Sequence, residues 1–587
     1  MTRLFNDAAD FTDQSIDGFV AAHGRWVRRV PGGVARNTST PPGRVAVIIG
    51  GGSGHYPAFA GLVGQGLADG AVMGNVFASP SAAQVVSVAT AAQHGGGVLL
   101  TYGNYAGDVL NFSQAEERLI GQGVPCRSLP VTDDIYSAPP TDRGKRRGVA
   151  GDLVVFKIAA AAAAEGRSLD EVAEVAARAN DRTRTIGVAF TGCTLPGAAA
   201  PLFTVPTGRM AVGLGIHGEP GLDEVDIPTA DGLAELFVSK LLGELPDGIH
   251  APEGQRVTAV LNGLGAVKYE ELFVVYNRVN ELLTDAGVDV IGPVVGEVCT
   301  SFDMAGASLT LTWLDDELEP LWTAPADAPA FRVGAVESAP ITTGPGIAEP
   351  VVTPTALAPT SEESRAAAAR VVQLLEAVRA CVDEHADELG RIDSVAGDGD
   401  HGIGMQRGSK AAAAAAHEAY AAGAGAGTVL TSAADAWADR AGGTSGALWG
   451  VALRRLGARI GDQDKPGAAA IAEGVHAART GICDFGGAEL GDKTLIDVLV
   501  PFDEHLTAAV QQGSSLTDAM QTATVAAGQA AAATTHLLPR RGRARPHAER
   551  SLGTPDPGAV SLSLIVRTIH DNLAPRPGSD IPTSEGR

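Results

Sequence analysis

A stretch rich in Pro, Ala and Thr at residues 323–362 divides this sequence into two parts of different pattern. Before it, apolar runs typical of strands alternate with helical segments, whereas after it almost every segment is helical in pattern. The stretch itself has no periodicity that would bury a face, which indicates an extended, semi-stiff linker. At 587 residues the chain is too long for a single hydrophobic core. We therefore predict an α/β domain at residues 1–322 and an all-α domain at residues 363–587.

Four apolar runs in the first part are typical of buried strands, and each ends in a glycine-rich turn; they lie at residues 44–49, 98–102, 212–216 and 257–261. The first of them is expected to end at Gly50. Helical segments are predicted at residues 79–93, 169–178, 232–243 and 270–286. Strands that alternate with helices predict a mainly parallel sheet, which gathers ligands at the carboxyl ends of its strands.

Polar residues follow three of these four predicted strands. His55 follows the first run, Asp108 the second and His217 the third, each among glycines. A single histidine is more often a structural residue than a functional one. The position of His217, after a strand and between glycines, favours a functional role because the carboxyl ends of the strands are where ligands bind.

Three carboxylates lie within eight residues of the second part, at Asp393, Asp398 and Asp400. The glycines between them let the backbone curl so that the acids converge, and converging carboxylates repel each other unless a cation compensates. Such a loop suits Mg²⁺, which binds a few protein carboxylates and completes its shell with water and phosphate. The alternative is an ordinary polar turn, since Asp and Gly are the commonest turn residues.

Other loops of the second part also lie at predicted helix ends. Thr444 and Ser445, among glycines, precede a helical run and can form an anion cradle, although a plain helix cap is the simpler interpretation. A second cap, at residues 491–497, has Lys493 beside it, and an arginine-bearing segment follows late in the chain. Carboxylates, a phosphate grip and cations are what phosphoryl transfer requires. Neither a P-loop nor a protein-kinase Gly-rich loop is present in the sequence.

The composition excludes several other classes of protein. A net charge of −24 disfavours nucleic acids, so the short basic run at residues 143–147 is expected to be a solvated loop. The five cysteines lie far apart, which indicates reduced thiols in a cytoplasm. No run of eighteen apolar residues and no secretory signal is visible, so we expect no membrane association.

The sequence resembles the single-chain, ATP-dependent dihydroxyacetone kinases over nearly its whole length. The resemblance is carried by GGGSGH at residues 50–55, VFASP at 76–80, GDVLNF at 107–112, GIHGEPG at 215–221, TSFDMAG at 300–306, GDGDHG at 397–402 and DPG at 556–558. It implies a ketose-binding K domain with two α/β subdomains, and a nucleotide-binding L domain that is a helical barrel. It also implies a homodimer in which the L domain of one subunit serves the K domain of the other.

The resemblance implies a role for each candidate site residue. His217 would hold the ketone carbon as a covalent hemiaminal, which excludes glycerol because glycerol has no carbonyl group. His55 and Asp108 would bind the hydroxyls and take the proton of the attacking one, beside Gly52, Ser53 and Gly54. The implied Mg²⁺ ligands are Asp393, Asp398 and Asp400. The implied contacts to ATP are His401, Gly402, Ile403, Gly404, Thr444, Ser445, Gly486, Thr494, Leu495, Arg543, Asp556, Pro557 and Gly558.

The sequence departs from the dihydroxyacetone kinase pattern at Tyr56, Phe59, Gly103 and residues 546–548. Glycine in place of the usual lysine at position 103 removes a cation and is expected to open volume near the substrate. We therefore hypothesise a larger ketose, the four-carbon erythrulose, with dihydroxyacetone as the alternative.

Two rival functions remain: cleavage of FAD to cyclic FMN at the nucleotide site, and a non-catalytic regulatory role. The retained His217 and the three aspartates disfavour the second. Fusion of the two domains disfavours a version that receives phosphate from a phosphocarrier protein.

Overall fold

The computed structural model describes residues 4–8, 10–198, 200–219, 223–337, 339–342, 359–397, 399, 401–541 and 549–573. Asp398, Asp400, Arg543 and residues 546–548 therefore lie outside the described residues. The chain divides into two compact units, residues 1–352 and residues 353–587.

The first unit contains both helices and strands. Its described helices are α1 (Phe11–His23), α2 (Ala82–Ala92), α3 (Ala106–Gly121), α4 (Gly151–Glu165), α5 (Leu169–Asp181), α6 (Ala230–Leu242), α7 (Tyr269–Asp285) and α8 (Leu318–Thr323). Its described strands are β1 (Val27–Val30), β2 (Gly33–Arg36), β3 (Ala46–Ser53), β4 (Gly70–Val76), β5 (Val98–Gly103), β6 (Cys126–Val131), β7 (Thr183–Ala189), β8 (Arg209–Val212), β9 (Asp223–Asp226), β10 (Arg256–Gly263), β11 (Asp289–Val290), β12 (Val294–Gly296), β13 (Gly306–Leu314), β14 (Ala326–Asp327) and β15 (Arg332–Val333).

The first sheet has the strand order β1-β2-β4-β3-β5-β6. Strands β4, β3, β5 and β6 run parallel, and β1 and β2 add an antiparallel edge. The prediction that the strand before His55 ends at Gly50 is wrong, because β3 continues to Ser53. A Cβ at Gly51 would lie 2.6 Å from the ring of Phe59, so this glycine serves close packing within the strand rather than a turn.

The second sheet has the order β11-β10-β13-β7-β8-β9, with β12 also paired to β10. Only β11 and β12 run parallel to β10, and the other pairs are antiparallel. The expectation of a mainly parallel sheet is therefore wrong for this part of the chain, because the described residues between β7, β8 and β9 contain no crossover helix. The predicted strand at residues 212–216 is also wrong: β8 ends at Val212, and Gly213 turns the chain with φ +77°.

Helix α4 packs against strands of both sheets and is buried on all its faces from Gly151 to Ala163. Its six consecutive alanines let neighbouring backbones approach closely, while Phe156 fills the wider space. Complete burial of a side chain such as Phe156 stabilises the fold by about 1.5–3 kcal/mol. The α/β class expected from the alternating pattern, with two sheets in the first half, is confirmed.

The structured part of the first unit extends into the predicted linker. Strands β14 and β15 form a small hairpin, Ala326 and Ala328 are buried, and the Gln65 amide donates to the Asp327 carbonyl. These strands have two residues each, which is too short to show a period in the sequence. Residues 343–358 lie outside the described residues.

The second unit is helical throughout its described residues: α9 (Glu362–Asp393), α10 (His401–Ala421), α11 (Ala426–Ala441), α12 (Gly443–Ile460), α13 (Ala468–Gly486), α14 (Ile496–Gln511), α15 (Leu516–Ala533) and α16 (Pro557–Asp571). Each helix contacts the next along the chain, and α16 packs against α9, so the eight helices form a closed ring. This arrangement confirms the all-α barrel. Among the described residues of the whole chain, we find no helix with the length and apolar character needed to cross a membrane.

Candidate active site

Two histidines from distant parts of the first unit meet in a hydrogen-bonded chain. His55 follows β3, and its Nδ1 lies 2.8 Å from the carbonyl oxygen of Thr300. Its Nε2 lies 3.0 Å from Nε2 of His217, which sits between β8 and β9. Nδ1 of His217 in turn lies 3.1 Å from the Glu219 carboxylate. The structure thus brings together two of the three polar residues that were predicted to bind substrate.

The number of protons in this hydrogen-bonded chain follows from the two groups at its ends, the Thr300 carbonyl and the Glu219 carboxylate. A carbonyl and a carboxylate only accept hydrogen bonds, so both outer ring nitrogens must donate. The contact between the two Nε2 atoms needs one further proton, so the pair carries three protons and one positive charge. Burial, together with the charge of His217, lowers the pKa of His55 to about 3. The charge therefore resides on His217.

Glu219 balances that charge. Burial alone would raise the pKa of its carboxyl, but the charge of His217 and the hydrogen bond from it outweigh burial, so the pKa lies well below its usual value. The turn that holds this carboxylate depends on Gly215, since a Cβ there would lie 2.2 Å from a Glu219 oxygen. The backbone amide of His217 also donates to Glu219, over 3.0 Å.

Aromatic rings fix both imidazoles. Phe77 stacks on His55 with ring centroids 4.8 Å apart, and Tyr105 meets His217 edge-on at 4.5 Å. The Tyr105 hydroxyl donates to the Gly148 carbonyl, and burial raises the pKa of this phenol well above its usual value, so it stays protonated. At Gly54, which has φ +110°, a Cβ would collide with the ring of Phe77. The two rings are thus held in one geometry.

The basic run at residues 143–147, expected to be a solvated loop, contains two arginines that are not solvated. Arg146 is completely buried and makes a two-pronged ion pair with Glu244, at 2.6 and 2.9 Å. Arg147 donates to Asp134 over 2.7 Å and lies 3.8 Å from Glu219. Glu244 lies 98 residues from Arg146, and Asp134 lies 13 residues from Arg147. Neither ion pair can therefore be recognised from the residues next to the arginines. Arg147 adds a second positive charge beside Glu219.

Asp108 lies in the first turn of α3 and is buried. Its negative charge acts on Tyr102 and Asp152. The other predicted substrate contacts are occupied within the protein: the Ser53 hydroxyl donates to the Gly74 carbonyl over 2.7 Å. A Cβ at Gly52 would lie 2.8 Å from the Ala78 amide nitrogen. Gly52 and Ser53 therefore fix the end of β3 by packing.

The space beside Gly103 is not open, contrary to expectation. A Cβ at this position would lie 3.1 Å from the Tyr105 ring and 3.4 Å from the Asp152 carboxylate. Asp152 was not singled out from the sequence, where it is one acid at the start of an apolar helix. Glycine thus stands at the position of the usual lysine, and the Tyr105 ring and the Asp152 carboxylate pack closely around it.

In the second unit, predicted ligands lie at the connections between helices. Asp393 ends α9, and its carboxylate accepts from the backbone amide of His401 at the start of α10, over 3.2 Å. His401 Nε2 lies 3.0 Å from the Ser561 hydroxyl on α16. The α9–α10 connection is thereby joined to α16.

Asp556 caps α16 by accepting from the Ala559 amide over 2.7 Å, with Pro557 as the first helical residue. Burial, with smaller contributions from the charges of Asp497 and Asp393, raises the pKa of Asp556 to about 7. Negative charge is thus concentrated between these loops, which fits a site for a cation.

The loop before α14 is ordered by the Asp497 carboxylate, which accepts from the amides of Gly491 and Thr494. Lys493 is turned inward in this loop: it is buried and donates to Ser551, so the lysine noted in the sequence does not face a phosphate. A Cβ at Gly558 would lie 3.5 Å from Leu495, which places the α13–α14 and α15–α16 connections side by side.

The remaining predicted nucleotide contacts lie at neighbouring helix ends. Thr444 and Ser445 occupy the first turn of α12, and Gly486 ends α13. A Cβ at Gly486 would lie 3.2 Å from Leu448, about one turn along α12. The described candidates thus gather at one end of the ring, on alternate connections.

The donor set fits Mg²⁺ as far as it is described. The Asp393 carboxylate offers a hard oxygen in an acidic neighbourhood, which is the kind of ligand that Mg²⁺ prefers. No group of three His, Cys, Asp or Glu side chains suited to a metal occurs among the described residues, and two of the predicted ligands, Asp398 and Asp400, fall outside them.

Comparisons with known proteins agree on one family. Residues 17–330 match the Dak1 domain and residues 395–571 match the DAK2 domain. The chain is 60% identical over 570 residues to the L-erythrulose kinase of Pectobacterium atrosepticum, covering 97% of this chain and 96% of the relative. The chain belongs to the dihydroxyacetone kinase family. The resemblance stated from the sequence motifs is confirmed, and this protein is a kinase.

Two further similarities support this assignment. The kinase is 53% identical over 583 residues to the D-erythrulose kinase of Mycolicibacterium smegmatis, covering 97% of this chain and 98% of the relative. Its structure also resembles the dihydroxyacetone kinase from C. freundii, solved in complex with AMP-PNP and Mg²⁺. That match has a TM-score of 0.52 and 28% identity, and covers 97% of this chain and 99% of the other.

Proposed function

We propose that this kinase transfers the γ-phosphoryl group of ATP to a terminal hydroxyl of erythrulose while His217 holds the ketose as a hemiaminal. The observation that carries the proposal is the chain from His55 through His217 to Glu219. The names of the two relatives at 60% and 53% identity support a four-carbon ketose.

The histidine pair can form and break the tether with its own proton. The proton between the two Nε2 atoms moves to the His55 side, which leaves a lone pair on Nε2 of His217. That lone pair attacks the ketone carbon and a C–N bond forms. The π electrons of the C=O bond pass to its oxygen, which takes the proton. The new N-alkylated imidazolium keeps its Nδ1–H bond to Glu219, so the charge of the site is unchanged.

The tether also explains selection by carbonyl chemistry. A small polyol offers little surface for binding, and a reversible bond to the carbonyl carbon holds a ketose in one orientation. Glycerol has no such carbon and would not be retained. Asp108 is the group we assign to accept the proton of the attacking hydroxyl, because it is a buried carboxylate at the carboxyl end of β5.

The second unit is assigned to bind the nucleotide. When bound, Mg²⁺ and ATP supply the phosphoryl group and neutralise its charge during transfer. Asp393, Asp398 and Asp400 would hold the metal. The connections at one end of the ring would contact the nucleotide, with Thr444 and Ser445 presenting helix N-terminal amides.

We further propose that the two domains predicted at residues 1–322 and 363–587, the first extended by the β14–β15 hairpin, form a homodimer with a cytoplasmic location. The residues between β15 and α9 would act as a linker that lets the L domain of one subunit reach the K domain of the other.

The test is a steady-state comparison of D-erythrulose, L-erythrulose and dihydroxyacetone in a coupled assay for ADP, with ATP as the phosphoryl donor. We expect kcat/KM for one erythrulose enantiomer to exceed that for dihydroxyacetone. A kcat/KM for dihydroxyacetone well above both erythrulose values would refute the substrate assignment. Incubation with FAD and Mn²⁺ should yield no cyclic FMN.

A further inference from the structure

Asp152 is a buried carboxylate that neither the family motifs nor the mechanism above uses. It lies in the first turn of α4 with 3% of its surface exposed. Its Oδ1 atom is buried and has no hydrogen-bond partner among the residues that the structure describes. An isolated buried carboxyl oxygen costs free energy, so such a group in a folded protein indicates a ligand or a function.

The surroundings of Asp152 connect it to both histidines. A Cβ at Gly103 would lie 3.4 Å from one carboxylate oxygen of Asp152, and the same Cβ would lie 3.1 Å from the ring of Tyr105. The Tyr105 ring meets His217 at 4.5 Å. Asp152 is thus separated from the nucleophile by one aromatic ring.

A second connection runs through the loop that positions His55. Burial raises the pKa of the Cys299 thiol, and Asp152 and Asp133 raise it further, so Asp152 acts electrostatically on this loop. The next residue, Thr300, accepts the hydrogen bond from His55. Asp152 is therefore near residues that contact the two histidines.

Glycines keep the region around this carboxyl free of other side chains. A Cβ at Gly148 would lie 2.7 Å from Asp152 Oδ1 and 2.5 Å from the Gly103 Cα, so Gly148 cannot be enlarged without displacing these groups. A Cβ at Gly103 would instead press on the Tyr105 ring. A lysine at position 103, as is usual in dihydroxyacetone kinases, would bring a cation to this carboxyl group. With glycine at position 103, this position supplies no cation to Asp152, so a neutral group can be its hydrogen-bond partner.

We propose that Asp152 hydrogen-bonds the hydroxyl that erythrulose has in addition to those of dihydroxyacetone, and so determines specificity for the four-carbon ketose. The proposal rests on the proposed function, because it assumes that a ketose binds at His217. It deepens that function by naming the residue that distinguishes the two sugars.

A hydroxyl is a better partner for Asp152 than a metal ion. Among the described residues, no cluster of three metal-binding side chains surrounds it. Burial raises the pKa of Asp152 well above its usual value, and the charges of Asp133 and Asp108 raise it further, which favours the protonated carboxyl. A protonated carboxyl both donates to and accepts from a hydroxyl.

The experiment is a competition between erythrulose and dihydroxyacetone in one reaction, using the full-length wild type and Asp152→Leu, Asp152→Ser and Asp152→Asn. The two phosphorylated products are quantified at low conversion by mass spectrometry. Their ratio gives the ratio of the two kcat/KM values and does not depend on how much of the enzyme is folded. A trace of active protein is therefore sufficient for each variant.

Asp152→Leu and Asp152→Ser should shift the product ratio toward dihydroxyacetone by about 10- to 100-fold, since each removes the hydrogen-bonding carboxyl. Asp152→Asn should shift it by less, because an amide still donates and accepts. The matched control is Asp133→Asn, a neighbouring buried acid whose carboxylate accepts from the amides of Val149 and Gly151. This control should lose stability and keep the wild-type ratio.

One result would overturn the inference: an unchanged product ratio in Asp152→Leu and Asp152→Ser, whether activity is retained or falls equally on both ketoses. That result would assign Asp152 a structural role. A wild type that phosphorylates neither ketose is a different outcome, because it would refute the proposed function itself.

Discussion

The Nε2 atoms of His55 and His217 lie 3.0 Å apart, and the two outer nitrogens of these rings face a backbone carbonyl and a carboxylate. In the proposed mechanism His217 stays protonated until His55 accepts the proton. Because burial lowers the pKa of His55, its protonated ring is a strong acid that would pass the proton to the substrate oxygen as the C–N bond forms. The contact that delays attack would thus also supply the acid that completes it.

Replacement of Glu219 by glutamine should impair this step. The amide cannot balance the charge on His217, so the imidazolium that follows attack is less stable. We expect kcat/KM for the ketose to fall by about 10²-fold while the affinity for nucleotide is unchanged. Steady-state kinetics and titration with an ATP analogue measure the two quantities. Glu224→Gln, at an exposed acid on β9, is the control and should behave like wild type.

The low pKa of His55 predicts a specific dependence on pH. Its folded value, about 3, lies below the unfolded value, so the unfolded chain binds a proton first as the pH falls. The contribution of His55 to stability is therefore full above about pH 6.5 and is lost as the pH falls toward about 3, by about 1.4 kcal/mol per pH unit.

NMR of the protein with ¹⁵N-labelled histidines tests this directly. One histidine ring should remain neutral at pH 5, and its signals should be absent from His55→Gln. A ring at position 55 that becomes charged near pH 6.5 would contradict the assignment of the charge to His217.

Removal of the metal should abolish phosphoryl transfer. Excess chelator should stop turnover, and added Mg²⁺ should restore it, because carboxylates would be the only protein ligands of the ion and water and phosphate would complete its shell. Asp398→Asn should weaken the binding of Mg²⁺ with an ATP analogue by at least about 10-fold in calorimetry. Asp518→Asn, at an exposed acid in the first turn of α15, should bind the nucleotide normally. Normal binding by Asp398→Asn would remove this residue from the metal site.

Mixing two inactive variants tests whether subunits cooperate. His217→Ala lacks the tether, and Asp398→Asn lacks a metal ligand, so each should be inactive alone. A mixture should regain activity if the second domain of one subunit serves the first domain of another. Continued inactivity, under conditions where subunits exchange, would show that transfer takes place within one chain.

The sequence predicted those features whose signal is local. The apolar run that forms β5 and the helical periodicity of the second unit can both be read from consecutive residues. The α/β class of the first unit and the all-α class of the second could therefore be predicted directly. His55 and His217 were singled out because each follows an apolar run and lies among glycines, and the structure places their Nε2 atoms 3.0 Å apart. The clustering of loops at one end of the second unit could be predicted because short connections place consecutive helix ends next to each other.

The sequence did not predict features that depend on distant partners. Strand pairing joins β13 to β7 and β10, so the antiparallel character of the second sheet cannot be seen in any one run. Arg146 is buried because Glu244, 98 residues away, pairs with it. Asp152 stands out only when the atoms around it are known, since its sequence context is that of any acid in the first turn of a helix.

The most direct test of the account is ¹³C NMR of erythrulose labelled at its carbonyl carbon and bound to the full-length protein. The account predicts that the carbonyl signal is replaced by that of a tetrahedral carbon bonded to nitrogen, and that His217→Ala shows only the free ketone. A carbonyl signal that persists in the bound wild-type complex would contradict the central claim that His217 holds the substrate covalently.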